Sequence, residues 1–229
     1  MNAPDSARQP PQSAQGSPPD PAAGTAQVAA SGALLPAQGD AAAHAAPGAP
    51  RHPTSGAPPV GDPRHLRDCL GMFATGVTIV TTRAPDGGFI GLTANSFSAL
   101  SLDPPLVLWS LGNNSGSLAA FLAAQHFVVN VLASAQMDLA RRFAKPFPDR
   151  FAGIGVHSGL HGAPLIDGAL AWFECQTRAH YEQGDHVLFI GEVKRCARVE
   201  GSPLLFRQGE FAHSQTLPGG QGSQRLATD

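Results

Sequence analysis

The chain has 229 residues and a formal net charge of -2, with 42% hydrophobic and only 14% charged residues, against roughly 25% charged in an average soluble domain. Residues 1–60 hold twelve Pro, seventeen Ala and five charged residues, and no Phe, Trp or Tyr precedes Phe73. From Arg64 to His213 twelve Lys/Arg balance twelve Asp/Glu, so no nucleic-acid partner is expected, and no apolar run approaches the ~18 residues of a membrane helix.

Composition predicts a disordered Ala/Pro-rich tail over 1–62, because such a stretch buries too little apolar surface to offset the entropy of ordering it. One domain over 63–213 and a second disordered tail over 214–229 follow. The first residues, MNAPDSARQPPQ, lack the apolar region of a signal peptide. Cys69, Cys175 and Cys196 are too few and too scattered for a disulfide framework. The expected location is a reducing cytoplasm.

Leu66, Cys69, Leu70 and Phe73 have the i, i+3, i+4, i+7 spacing of a helix. Asp62 is a suitable N-cap and Pro63 suits the first helical position. Gly76–Thr82 is β-branched and reads as a strand. The turn Pro85-Asp86-Gly87-Gly88 joins it to Phe89–Leu92 as a hairpin. Phe97–Leu100 and Leu106–Leu111 are further strands, linked through Asp103-Pro104-Pro105. Ser117–Ala124 is a short helix, His126–Leu132 a strand, and Ser134 caps a helix from Ala135 to about Phe143. Two long β segments, Ala171–Tyr181 and Val187–Val199, flank Glu182-Gln183-Gly184-Asp185-His186, and a short strand covers Leu204–Phe206. Strands joined by short turns, with few helices, predict a mainly β fold: an antiparallel barrel with peripheral helices.

No G-x-G-x-x-G, Walker-type loop or H-E-x-x-H occurs, and the histidines lack metal-ligand spacing, so no metal is expected. Gly91-Leu92-Thr93-Ala94-Asn95-Ser96 places small and hydroxyl residues inside a strand, either for close approach of a ligand to the backbone or as an edge strand with a Ser/Thr ladder. Ser110-Leu111-Gly112 and Gly116-Ser117 flank a strand end before a helix, which suits a phosphate or an ordinary capping loop. Arg141 and Arg142 end the next helix, where cations complement its dipole; alternatively one reaches the same phosphate. Gly184-Asp185 is a hairpin turn signal, and His186 is either exposed or a donor into a pocket.

The ordered set FATGVTIVTT (73–82), GLTANSFSALSLDPPLVLWSL (91–111), FVVNVL (127–132), ARRFA (140–144), DRFAG (149–153), GAPLIDGALAWFEC (162–175), EQGDHVLFIGEV (182–193) and PLLF (203–206) resembles the flavin reductase-like family with the FMN-binding split-barrel fold, of antiparallel Greek-key type. The resemblance implies an NAD(P)H:flavin oxidoreductase that passes a hydride from NADH or NADPH to FMN or FAD and supplies reduced flavin to a separate monooxygenase. It implies that Gly91, Leu92, Thr93, Ala94, Asn95 and Ser96 line the flavin. Ser110, Leu111, Gly112, Gly116, Ser117, Arg142 and Phe143 would surround its ribityl phosphate, and Gly184, Asp185 and His186 would dock the nicotinamide. His186 is the catalytic candidate, as the residue that holds the nicotinamide. The cofactors carry the chemistry, so the protein's task is to stack two rings at roughly 3–3.5 Å. A homodimer is also implied. Two departures from the family pattern are Arg207, where an aromatic is frequent, and Asn113-Asn114, where basic residues are frequent. The alternative reading is a flavin-binding electron-transfer protein without nicotinamide turnover.

Overall fold

The computed structural model describes residues 61–146 and 149–215. The expected tails at 1–62 and 214–229 lie outside the described residues, apart from 61–62 and 214–215. In chain order the elements are α1 (Pro63–Gly71), β1 (Thr75–Gly76), β2 (Thr78–Arg83), β3 (Phe89–Ala94), β4 (Ser98–Leu102), β5 (Pro105–Gly112), α2 (Leu118–Ala123) and β6 (His126–Val131). A 3-10 turn at Ser134–Gln136 leads into α3 (Met137–Phe143), followed by β7 (Val156–Ser158), a 3-10 turn at Leu160–Gly162, and β8 (Pro164–Ile166). The chain then forms β9 (Ala171–Gln183), β10 (His186–Arg198), β11 (Leu204–Arg207) and β12 (Glu210–His213).

A seven-stranded sheet in the order β3-β2-β6-β9-β10-β5-β4 forms the body, and every pairing in it is antiparallel. Its two edge strands, β3 and β4, are separated in sequence only by Asn95, Ser96 and Phe97. In a flat sheet those edges would stand about 29 Å apart at ~4.8 Å per strand, whereas four Cα steps reach at most about 14 Å. The sheet therefore curls until its edges approach. Ser96 fixes the approach: its Oγ accepts from the Ser110 N–H at 3.0 Å and donates to the Ser110 carbonyl at 3.1 Å.

The curl divides the apolar residues into two cores. Inside it lie Val80, Leu92, Ala94, Val107, Trp109, Leu111, Phe121, Phe127, Val129, Cys175, Val187 and Phe189. Trp109 stacks on Phe189 at 4.7 Å and meets Phe121 edge-on at 5.0 Å. Outside it, Val77, Ile79, Leu132, Ala140, Phe143, Ile166 and Leu204 pack α3, β8 and β11 against the sheet. β2 contributes to both cores, so Thr78–Thr82 are all buried. The polar groups there are satisfied locally: Asn130 Nδ2 donates to the Ile79 carbonyl and to Thr81 Oγ1, while its Oδ1 accepts from the Ile166 N–H.

The predicted strands and helices are all present, with bounds shifted by a few residues. Asp62 accepts from the Arg64 N–H as the N-cap of α1. The short strands β7, β8 and β12 were not anticipated from sequence; three or four residues give little periodicity to read. The apolar stripe of α1 is uncovered: the helix has no buried residue, and Leu70 and Phe73 are 65% and 77% exposed. Among the described residues no helix is long and apolar enough to cross a membrane.

Candidate active site

As an edge strand, β3 pairs with β2 alone, so one row of its backbone N–H and C=O groups has no strand partner. Beside it opens a cavity of about 470 Å³, lined by Leu92, Thr93, Leu111, Ser115, Gly116, Ser117, Phe143, Ala144, Pro146 and Arg150. Four separate segments build this wall: β3, the end of β5 with the loop after it, the end of α3, and the loop carrying Arg150. A smaller cavity of about 190 Å³, lined by Phe89, Ile90, Gly91, Ser117, Asp149, Arg150 and Phe151, meets it at Ser117 and Arg150.

Along β3 each residue has a distinct environment. Leu92 and Ala94 are buried in the inner core. Thr93 is half-buried and donates from Oγ1 to the Ala140 carbonyl at 2.7 Å, tying the strand to α3. Asn95 is exposed. Gly91 is small for a packing reason. A Cβ there would lie 2.8 Å from Phe143 Cε1 and 3.0 Å from Phe151 Cζ, closer than side-chain carbons pack. Phe143 itself is fully buried and edge-on to Phe151 at 5.0 Å.

The loop after β5 joins this cavity to the β9–β10 turn. Gly112 pairs with His186 in register. Asn113 donates from its backbone N–H to the Asp185 carbonyl at 2.9 Å and from Nδ2 to the Gly184 carbonyl at 3.1 Å. Ser115, Gly116 and Ser117 then line the cavity, with Ser115 Oγ accepting from the Ser117 N–H. Gly184 has φ +60° and leads a two-residue connection between Gln183 and His186, the glycine-first turn that matches the twist of a hairpin. His186 is half-exposed, and its Nδ1 lies 2.7 Å from Asp185 Oδ1. That bond, with the charge attraction of the imidazolium form, holds the Asp185 carboxyl below the usual carboxylate range. An ionised Asp185 accepts from Nδ1–H, leaving Nε2 above Gly112.

The two arginines of interest have different roles. Arg142 donates from a terminal nitrogen to the Asp149 and Ala152 carbonyls at 2.7 and 2.8 Å, holding the loop after α3. Arg150, on that loop, lines both cavities. It donates to the Gly91 carbonyl at 2.8 Å and through two nitrogens to the Lys145 carbonyl. Sequence reasoning did not single out Arg150; its DRFAG context was the available signal. Apolar walls beside an open strand edge, hydroxyls opposite, and one cation where the two cavities meet fit a planar ring with a polar rim and an anionic tail. Among the described residues no group of three or more His, Cys, Asp or Glu is placed to hold a metal.

Residues 70–215 match the flavin reductase like domain, and the chain belongs to that family. It is 45% identical over 148 residues to the FMN reductase (NADH) SmoA of Agrobacterium fabrum, covering 65% of this chain and 84% of that protein. A probable flavin reductase of Rhizobium meliloti is 47% identical over 134 residues, a match that covers 58% of this chain but only 43% of that longer protein. Among solved structures, the Streptomyces globisporus NADH:FAD oxidoreductase SgcE6, in complex with NAD and FAD fragments, superposes with a TM-score of 0.64 at 39% identity, covering 69% of this chain and 95% of that one.

Proposed function

We propose that this protein is an NAD(P)H-dependent flavin reductase that supplies reduced FMN or FAD to a separate monooxygenase. The observation that carries this reading is the continuity of the site. One loop, Gly112–Ser117, lines the cavity beside the open edge of β3 at one end and is bonded to the Gly184–His186 turn at the other. When bound, the two cofactors supply the chemistry, a hydride transfer from nicotinamide to flavin. The chain's residues bind and orient. Leu92, Leu111 and Phe143 offer apolar walls, the outward row of β3 offers backbone donors and acceptors, and Ser115 and Ser117 offer hydroxyls. His186, fixed through Nδ1 by Asp185, presents Nε2 to the nicotinamide. No side chain is required to move a proton, because solvent can protonate the reduced product.

Three further features belong to this reading. The curled sheet is a split barrel closed through Ser96 and Ser110. The molecule is a homodimer, in which a second copy covers the exposed stripe of Leu66, Leu70 and Phe73; apolar surface of that kind marks an interaction site. Three free thiols suit a reducing cytoplasm. Relatives with reductase-component names support the partnership: the trigonelline monooxygenase reductase component of Acinetobacter baylyi is 43% identical over 148 residues, covering 65% of this chain and 48% of that protein. The test is NADH oxidation by purified protein with and without added FMN. Flavin-dependent turnover is expected. FMN binding without NADH oxidation would instead favour an electron carrier.

A further inference from the structure

We infer that Arg150, from the loop opposite the Gly112–Ser117 segment, reads the phosphate of the bound flavin and sets the preference for phosphorylated flavins over riboflavin; the inference rests on the flavin reading above. The loop itself carries no charge that could do this. Asn113 spends its amide on Gly184, and Asn114 Oδ1 lies against Gly112. Two nearby arginines are engaged elsewhere, and the Lys145 side chain is not among the groups lining either cavity. Arg141 pairs with Asp138 and lies over the Phe211 ring at 5.7 Å. Arg142 is bonded to the Asp149 and Ala152 carbonyls and lines neither cavity. Arg150 is the one charged residue among those lining the larger cavity, and it shares that lining with Ser115, Gly116 and Ser117.

The guanidinium is suited to the task by what already holds it. It has five N–H donors. One goes to the Gly91 carbonyl and two, through Nε and the second terminal nitrogen, to the Lys145 carbonyl. One N–H on each terminal nitrogen remains to donate to a phosphate. Among the described residues no carboxylate forms a salt bridge with Arg150; Asp149, its neighbour, uses Oδ1 to accept from the Phe151 and Ala152 N–H groups. The positive charge is therefore pre-positioned and unneutralised where the two cavities meet. Arg142 acts through Arg150, by fixing the loop that carries it.

The test is equilibrium titration of FMN and riboflavin against the full-length protein, wild type and variants, with affinity rather than turnover as readout. Wild type should bind FMN roughly tenfold to a hundredfold more tightly than riboflavin, the range for charge-assisted hydrogen bonds, and this ratio should shrink as salt is raised. Arg150→Gln should bring the ratio to within about threefold, and Arg150→Lys should retain part of it as a point charge. Because Arg150 also braces Gly91, the variants can weaken both ligands together; the ratio is insensitive to that loss. A wild-type ratio near one overturns the inference while riboflavin binding keeps the flavin reading intact. A ratio unchanged in a folded Arg150→Gln also overturns it. Should that variant fail to fold, the wild-type ratio, its salt dependence and Arg150→Lys decide. Failure of wild type to bind either flavin overturns the flavin reading itself.

Discussion

The wall of the larger cavity and the Gly184–His186 turn are built in opposite ways. The wall is assembled from four segments of the chain and sits between two cores; its residues are held by tertiary contacts such as Thr93 to Ala140 and Arg150 to Gly91. The turn is local and exposed, fixed by one left-handed glycine, one carboxylate–imidazole contact and two bonds to Asn113. A change in the wall must disturb packing, because Gly91, Thr93 and Phe143 are held by tertiary contacts. A change at the turn removes one contact and leaves the fold alone. On the function proposed above, the wall would hold the flavin and the exposed turn would receive the nicotinamide.

The wall should break first and most. Gly91→Val places new atoms against Phe143 and Phe151, which are already packed on that face. Overpacking of this kind costs about 1–3 kcal/mol, or several degrees in melting temperature for a domain this size. Flavin affinity should fall in parallel, as titration of the folded fraction will show. A stable variant with unchanged affinity would detach β3 from the cavity.

The seam between the sheet edges should come next. Ser96→Ala removes the acceptor for the Ser110 N–H and the donor to its carbonyl. An unsatisfied buried donor costs about 1–3 kcal/mol, reduced here because Ser110 is only half-buried. Thermal denaturation should show the loss.

At the turn the effect should be kinetic. His186→Ala should raise KM for NADH and lower kcat/KM roughly threefold to tenfold, the worth of one neutral hydrogen bond. Melting temperature and flavin affinity should hold. Loss of flavin binding with intact NADH parameters would show that the two cofactors are assigned the wrong way round.

The smallest effect lies outside both regions. His126 stacks on His161 at 3.6 Å, and burial, then the charges of His161 and Lys194, lower its pKa. The unfolded chain binds a proton there near the usual value of about 6.5 while the folded one resists it, so stability is complete above that pH and declines as pH falls through it. His126→Gln should flatten the melting-temperature difference between about pH 7.5 and about pH 5.5. An equally steep dependence in the variant would place the titration elsewhere.

These contrasts also explain what the sequence made readable. The turn and the strands beside it are local: Gly184-Asp185 carries its own turn signal, and β6 is a run of Phe, Val and Asn whose strand bounds fall within one residue of expectation. The cavity wall is not local. Arg150 meets Gly91 across 59 residues, and nothing in the order of residues distinguishes it from Arg142 until the loop after α3 is in place. Gly91 was legible as a position that must stay small, but its reason, two phenylalanine rings, lies in α3 and the loop beyond it. The periodicity of α1 gave the helix but not its exposure, because periodicity reports an apolar face without reporting what covers it.

The account is tested most directly by mixing FMN-loaded protein with NADH in the absence of oxygen and following the flavin absorbance band. It predicts bleaching of the oxidised flavin at a rate that saturates with NADH, with the saturation, but not the bound flavin, weakened by His186→Ala. Flavin that stays bound and oxidised in the presence of excess NADH would contradict it.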